Sequence, residues 1–184
     1  LKYYIMLLSI FHFRNIFISL ILSICVFTQS KAQTSIVILG NSITQAENGN
    51  NSFRRNLWNK LNSAGYSVDF VGSLNQTKDC TNYPDTDFDT DHEGHWGWRD
   101  DEILNGQSGG NSCYGTANLS IWLVGYDPDV ALIHIGTNDM IQGNTVESTL
   151  TEIGDIIAVM RNDNPAITVF LSNLIPAKSS GNNA

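Results

Sequence analysis

Four short apolar runs, rich in valine and isoleucine, recur along the chain and are bounded by glycine, proline or polar residues. Runs of this length and composition predict strands that are buried on both faces, as in a parallel sheet. The predicted strands are residues 36–39, 68–72, 130–135 and 167–171.

Between these runs the apolar residues recur at helical spacing. Residues 52–64 place four large apolar side chains on one face, with Ser52 as the predicted N-cap. The clearest helix begins after Asn144, which we expect to cap it, with Glu147 at the third position and apolar spacing that continues to Met160.

Two shorter helices are predicted over residues 100–104 and 117–124. Helices that alternate with strands predict a parallel, three-layer α/β/α sandwich, because each crossover helix covers one face of the sheet.

The first 32 residues follow a different pattern. Two basic residues precede an apolar run over residues 16–27, and Ser30 and Ala32 supply small residues behind it. This arrangement is typical of a secretory signal that is cleaved after Ala32, and the run is short for a membrane span. We therefore expect residues 1–32 to be a signal peptide and residues 33–184 the domain of a secreted or periplasmic protein. A retained membrane anchor is the alternative.

Without the signal the chain keeps seven basic and all eighteen acidic residues, a formal charge of −11. This charge disfavours nucleic acid as a partner, because nucleic-acid binding depends on lysine and arginine at the phosphates. It also disfavours strongly anionic glycans. A neutral carbohydrate or a small ester suits the charge better, and the sequence does not predict an oligomeric state.

Residues 73–98 show neither a helical nor a strand period, and a polar segment of this length is usually a functional loop or a lid. The segment carries an acid at every second position: Asp85, Asp87, Asp89 and Asp91. These acids could bind calcium, but an EF-hand loop counted from Asp87 needs glycine where His92 stands. We predict a solvated acidic loop, with no metal and no cofactor.

Loss of the signal peptide also removes Cys25 and leaves Cys80 and Cys113. Two cysteines in an exported protein predict one disulfide, and two unpaired thiols are the alternative.

Three polar groups stand where the predicted strands end or on a loop above them. Ser42 follows the first strand and the break at Gly40, which is where parallel α/β sheets bind their ligands. Gly97 can bring a backbone N–H close to a ligand, and Asn138 can offer a carboxamide donor. A serine nucleophile with converging donors is the arrangement of acyl-transfer enzymes. A structural turn serine is the alternative for Ser42 considered alone.

Three ordered sequence blocks carry a family resemblance: GNSIT from Gly40, HEGHWGW from His92, and GTND from Gly136. They resemble the first three blocks of the SGNH (GDSL-type) hydrolases, which have a flavodoxin-like α/β/α fold and cleave esters through a serine. The second block and the VDFVGS segment from Val68 are similar to the carbohydrate esterases of family three, which are acetyl xylan esterases. The resemblance covers about residues 35–178.

The resemblance implies that Ser42 is the nucleophile. It also implies an oxyanion hole formed by the N–H groups of Ser42 and Gly97 and the side chain of Asn138. We assign His95, Trp98 and Asp139, which lie in the same blocks, as binding residues, and we expect His92 and His95 to order the second block.

The chain departs from the family pattern at two places. The first block usually carries aspartate where this chain has Asn41, so the shape is kept while the charge is lost. The last block, an Asp-x-x-His that supplies the base, does not follow strand 167–171. We expect a C-terminally truncated domain that lacks its last strand and helix. His134 does not match the catalytic histidine, and we expect it to be a core histidine with satisfied ring nitrogens.

These features predict a secreted serine esterase that removes acyl groups, in particular acetyl groups, from a carbohydrate such as xylan. The non-enzymatic alternative is a secreted carbohydrate-binding pseudo-enzyme. Within the esterases, a lysophospholipase or thioesterase is the other possibility, because the acyl pocket cannot be recognised in the sequence.

Overall fold

The computed structural model of the protein describes residues 32–109, 113 and 115–176. The predicted signal peptide therefore lies almost entirely outside the described residues. The elements, in chain order, are β1 (Thr34–Gly40), α1 (Ser42–Gln45), α2 (Ser52–Ser63), β2 (Val68–Val71), β3 (Glu93–Gly94), α3 (Asp100–Asn105), α4 (Leu119–Trp122), β4 (Val130–His134), α5 (Thr137–Gln142), α6 (Val146–Asp163) and β5 (Thr168–Leu171). A 3-10 turn, Leu123–Gly125, continues α4.

The strands form a parallel sheet in the order β2-β1-β4-β5. The two-residue strand β3 pairs with Leu39 and Gly40 at the carboxyl end of β1. Without β3 this order is that of the first four strands of a flavodoxin-like sheet. The parallel α/β fold predicted from the sequence is therefore confirmed.

The side chains of β1 alternate between two apolar clusters, one on each face of the sheet. Val37 and Leu39 belong to a cluster with Trp98, Ile103 and the buried face of α6. On the opposite face, Ile36 and Ile38 pack with Phe70 and with partly buried residues of α2. Because both faces are covered, each buried aliphatic side chain of β1 contributes about 1.5–3 kcal/mol to stability.

Helices α1 and α5 and strand β3 were not predicted from the sequence, because each is too short to show a period. The backbone conformation of Gly136 and Gly143, with φ of 98° and 89°, marks the two ends of α5. This left-handed conformation favours glycine, since a Cβ atom would be strained there. The six residues between them make less than two turns, so no apolar stripe develops.

Both predicted N-caps were misplaced by one residue. The cap of α6 is Thr145, whose side-chain oxygen accepts a hydrogen bond from the N–H of Ser148 at 3.1 Å. The prediction of Asn144 is wrong because its side-chain amide instead contacts Asp139. In α2 the cap position is Asn51, and Ser52 is the first helical residue.

The acidic loop is docked onto α2 rather than free in solvent. Arg55 donates to both oxygens of Asp87 at 2.7 Å, and the Asn51 amide donates to Asp85 at 2.6 Å. Asp89 accepts hydrogen bonds from the N–H groups of Phe70 and Asp91. Among the residues that the structure describes, the acids of this loop form no group with metal-ligand spacing.

Cys80 and Cys113 form a disulfide, as predicted, with their Cα atoms 4.9 Å apart. The bond joins the long loop to the segment before α4, and the two segments lie 33 residues apart in sequence. The carbonyl of Cys113 also accepts a hydrogen bond from the Gln45 side chain at 2.6 Å, so the bridge lies beside α1.

Apolar side chains are exposed around β5 and α6. Phe170 is 58% exposed and Leu171 is 47% exposed, and Leu150 and Ile175 lie at the surface nearby. A groove of about 410 Å³ runs between the carboxyl end of β5 and α6. In the described ranges, no helix has the length and apolar character to cross a membrane.

Candidate active site

Ser42 is the first residue of α1, immediately beyond the carboxyl end of β1. The turn before it is tight: a Cβ atom on Gly40 would lie 2.6 Å from the backbone oxygen of His134 and 2.2 Å from Thr44 Oγ1. The Asn41 side-chain oxygen accepts a hydrogen bond from the N–H of Ile43 at 3.2 Å. Half-buried Ser42 is thus held at the mouth of the sheet by a capped helical turn.

The loop that carries Gly97 is attached to this turn through Gln45. The N–H of Trp96 donates to the Gln45 side-chain oxygen at 2.9 Å, and the N–H of His95 donates to the carbonyl of Gly40 at 2.9 Å. Gly97 has a φ of 81°, and a Cβ atom there would meet no other atom within 4 Å. The loop therefore presents its backbone at an open position next to β1.

Asn138 lies in the first turn of α5, beyond the end of β4. Its side-chain Nδ2 donates to the carbonyl of Trp98 at 2.6 Å, which ties it to the loop of Gly97. An amide nitrogen carries two donors, so one N–H remains for a ligand. β1 pairs with both β3 and β4, so Ser42, Gly97 and Asn138 follow adjoining strands.

Two backbone donors remain free in this region. Within the described part of the chain, the N–H groups of Ser42 and Gly97 donate no hydrogen bond. Free backbone N–H groups beside a serine can stabilise an oxyanion, because they need no reorganisation when negative charge develops.

Glu93, which sequence reasoning did not single out, is the buried centre that holds the second block. Its carboxylate accepts hydrogen bonds from the Ser73 N–H at 2.9 Å and the Ser73 hydroxyl at 2.6 Å. It also lies 2.7 Å from His95 Nε2 and accepts a hydrogen bond from the Tyr126 hydroxyl. Burial next to this carboxylate raises the pKa of Tyr126. These four hydrogen bonds occupy both carboxylate oxygens of Glu93, so neither oxygen is left to bind a ligand.

His95 and Trp98, both assigned to binding, are fully buried. The His95 ring stacks on Trp122 with centroids 4.1 Å apart and lies 4.7 Å from the ring of Trp98. Their buried side chains therefore support the loop from the protein interior. Asp139 is buried too, and its oxygens accept the N–H of Asp100 at 3.2 and 3.3 Å.

His92 orders the same loop as a neutral ring. Its Nδ1 accepts the N–H of Gly94 at 2.9 Å, so the proton lies on Nε2, which is 3.1 Å from the carbonyl of Gln76 and 3.0 Å from the Tyr83 hydroxyl. Burial, reinforced by the nearby Arg54, holds the pKa of His92 well below its usual value.

His134 differs from the expectation of a satisfied core histidine. Neither ring nitrogen has a hydrogen-bond partner among the described residues, and burial lowers the pKa of the ring. The prediction failed because the apolar strand pattern indicates burial but says nothing about the partners of a polar side chain.

No histidine is hydrogen-bonded to Ser42 within the described ranges. The carboxylate–histidine pair found there, Glu93 with His95, is fully buried and serves the loop. The base that a serine nucleophile requires is therefore not provided by His92, His95 or His134 in this arrangement.

Comparison with known proteins points to carbohydrate esterases, although no family model matches the chain. A crystal structure of an acetyl esterase mutant with an acetate ion aligns with a TM-score of 0.63 and 29% identity, covering 79% of this chain and 64% of that one. A family 3 carbohydrate esterase from Talaromyces cellulolyticus gives 0.62 and 30% identity, covering 78% and 63%. One from Clostridium thermocellum gives 0.62 and 29%, covering 80% and 64%.

A multidomain esterase from Ruminococcus flavefaciens is 28% identical over 151 residues, which are 79% of this chain and 20% of that protein. The chain thus spans less than two thirds of each of these relatives. The parallel sheet and the three ordered sequence blocks agree with this similarity. The chain therefore has the SGNH hydrolase fold and is similar to the carbohydrate esterases of family three.

Proposed function

We propose that this domain is a serine esterase that hydrolyses O-acyl esters of a carbohydrate, in particular O-acetyl groups such as those of xylan. The observation that supports the proposal is that Ser42, Gly97 and Asn138 follow adjoining strands, where the N–H groups of Ser42 and Gly97 donate no hydrogen bond among the described residues and the Asn138 amide is tethered to Trp98. The similarity to family 3 carbohydrate esterases and to an acetyl esterase supports the substrate class.

In this proposal the Ser42 hydroxyl oxygen attacks the acyl carbon while its proton passes to a base. The negative charge moves to the carbonyl oxygen, which accepts hydrogen bonds from the N–H groups of Ser42 and Gly97 and from Asn138 Nδ2. The sugar alcohol then leaves with a proton, and water releases the acid from the acyl-serine.

The base is the part of this mechanism that the described residues do not supply. The Asp-x-x-His block that the resemblance implies near the C-terminus does not follow β5 within residues 172–184. The experiment therefore compares the chain as it stands with the chain extended by whatever residues its gene encodes next. An activated acetyl ester and acetylated xylan are the substrates, and released acetate is measured.

We expect Ser42-dependent acetate release that is weak in residues 1–184 and strong once a histidine base is present. Without a base, oxyanion donors and binding leave about 10³–10⁴-fold catalysis over water. Asn138→Ala should lower kcat of the extended chain by about 10²–10³-fold, since one oxyanion donor is lost. Full activity in Ser42→Ala would refute the proposal.

A carbohydrate-binding pseudo-enzyme is the second candidate, favoured by the lack of a histidine partner for Ser42 among the described residues. It predicts that the extended chain binds acetylated xylan and releases no acetate. Binding measured by calorimetry beside the acetate assay separates the two functions.

We further propose that the protein is exported after cleavage behind Ala32. The signal-like pattern of residues 1–32 supports this, and so does the Cys80–Cys113 disulfide, since such bonds persist in oxidising compartments. N-terminal sequencing of the exported protein should begin at Gln33. A mature chain that still begins upstream of the apolar run would indicate a membrane anchor.

A further inference from the structure

Three carboxylates from three different helices converge, and two of them lie in the segments that carry Gly97 and Asn138. Asp100 begins α3, Asp139 lies in the first turn of α5, and Glu152 lies in α6. One oxygen from each can be chosen so that all three lie within 4.8 Å of one another. Asp100 and Asp139 are 0% exposed, and Glu152 is half-buried.

Asp100 is the unusual member of this acidic cluster. Both of its carboxylate oxygens are buried and have no hydrogen-bond partner among the described residues, and Glu152 Oε2 is in the same state. Buried carboxylates are normally paired or bound to a metal, because the lost hydration must be replaced. Their side chains converge on the same point, so one positive ligand would satisfy several oxygens at once.

The nearby Arg99 acts on Glu152 and Asp139 through its charge, but its hydrogen bonds go to other residues. Arg99 donates two hydrogen bonds to Asp101, both at 2.9 Å, and a third to Gln142 at 2.8 Å. Asp139 accepts hydrogen bonds from the Asp100 N–H and from the Asn144 amide at 3.4 Å. Burial and the neighbouring Asp139 raise the pKa of Asp100 to about 8, so without a cation this carboxyl keeps its proton at neutral pH.

We propose that Asp100, Asp139 and Glu152 bind a calcium ion. Carboxylate oxygens are the ligands that a hard divalent cation prefers, and the three oxygens lie within 4.8 Å of one another. Calcium accepts several protein carboxylates in a flexible geometry, whereas magnesium keeps most of its waters and is usually held by one or two carboxylates. Glu152, which is partly exposed, gives the ion a route from solvent, and water can complete the coordination.

The ion would connect the two segments that carry the oxyanion donors. Asp100 stands three residues after Gly97, and Asp139 directly follows Asn138. A cation held by both would fix the Gly97 loop relative to α5, which the Asn138–Trp98 hydrogen bond already joins at 2.6 Å. This consequence rests on the proposed esterase function, whereas the calcium site does not.

The test measures calcium binding and stability without an activity assay. The full chain is stripped with a chelator, titrated with CaCl₂ in a calorimeter, and melted with and without Ca²⁺. We expect one site and a higher Tm with Ca²⁺, because a ligand that binds only the folded state stabilises it. Terbium luminescence excited through tryptophan gives an independent readout of the same site.

Asp100→Asn keeps the side-chain shape and should weaken calcium binding by at least about tenfold, because ligand charge sets affinity in such sites. Asp101→Asn is the matched control: the neighbouring acid loses the same charge but pairs with Arg99, and calcium binding should be retained. Glu152→Gln is the second variant if Asp100→Asn fails to fold.

Absence of calcium binding to the wild-type chain, or identical melting with chelator and with Ca²⁺, overturns the proposal. So does binding that neither Asp100→Asn nor Glu152→Gln weakens. An inactive protein that still binds calcium at this site would refute the esterase function and leave the calcium site standing.

Discussion

At the scale of single residues, the site depends on polar side chains whose partners come from distant parts of the chain. Glu93 joins Ser73, His95 and Tyr126, which lie 20, 2 and 33 residues away in sequence. Such a centre is costly to bury unless every oxygen is used. Here the cost is offset by four hydrogen-bond partners, and the loop of Gly97 gains a defined conformation.

Changing Glu93 to Gln should destabilise the protein by about 2–3 kcal/mol. The glutamine side chain keeps one acceptor oxygen, but its NH₂ group faces hydrogen-bond donors in place of the second oxygen. Buried donors are therefore left unpaired. The free energy of unfolding in urea measures the loss. The control is Glu47→Gln on the exposed surface, which should change stability by less than about 0.5 kcal/mol. An equally small loss for Glu93→Gln would show that its network contributes little.

Asn41→Asp should fold and should leave esterase activity of an active chain unchanged or raised. Asn41 Oδ1 accepts from the Ile43 N–H, an interaction that aspartate keeps, and Nδ2 has no partner among the described residues. The resemblance implies aspartate as the usual residue. A fall in kcat/KM of more than about tenfold, or 1.4 kcal/mol in the barrier, would instead identify Asn41 as a specific adaptation.

At the scale of elements, the long loop before α3 is held by covalent and polar contacts rather than by regular structure. The Cys80–Cys113 bond closes a segment of 33 residues, and the acidic loop is paired with Arg55 of α2. The ion pair with Asp87 is partly exposed, so it adds little by itself. The disulfide is the stronger restraint, because it limits the unfolded chain.

Replacing both Cys80 and Cys113 by serine should lower stability by about 3–4 kcal/mol, from the loop-closure entropy of a segment this long. Urea unfolding of the double variant is compared with the oxidised parent and with the parent in reductant. The free energies of unfolding of the oxidised parent and of the parent in reductant should differ by a similar amount. If reduction leaves the unfolding midpoint of the parent unchanged, the bridge does not restrain the unfolded state.

At the scale of the whole molecule, the stability of the fold depends on pH through a histidine whose ring nitrogens are buried without a hydrogen-bond partner among the described residues. His134 shares a small groove with Phe53, Phe170 and Leu171, none of which carries charge, so burial alone lowers its pKa. A histidine whose folded pKa is depressed costs stability as pH falls below the unfolded value of about 6.5, because the unfolded chain binds the proton first.

His134→Leu should therefore be near neutral or stabilising at pH 7 and more stabilising at pH 5. The gain from pH 7 to pH 5 is limited to about 1.4 kcal/mol per pH unit below 6.5. The measurement is urea unfolding of variant and parent at both pH values, compared as a difference so that other titrating groups cancel. A gain that is the same at pH 5 and pH 7 would show that folding does not lower the pKa of His134.

The sequence by itself determined the parallel α/β fold and the segments that carry Ser42, Gly97 and Asn138. This was possible because apolar runs and helical spacing report burial within a few residues, and strand ends follow directly from them. The short helices α1 and α5 and the strand β3 were missed, since two to six residues show no period.

Only the tertiary structure decided which polar groups meet. Asp100 and Asp139 lie 39 residues apart, and Glu152 comes from a third helix, so no local pattern links them. The same holds for the Glu93 network and for the partners of Asn144, which is why the cap of α6 was assigned one residue early. Burial can be inferred from one stretch of chain, but the partner of a buried polar side chain depends on how distant stretches pack.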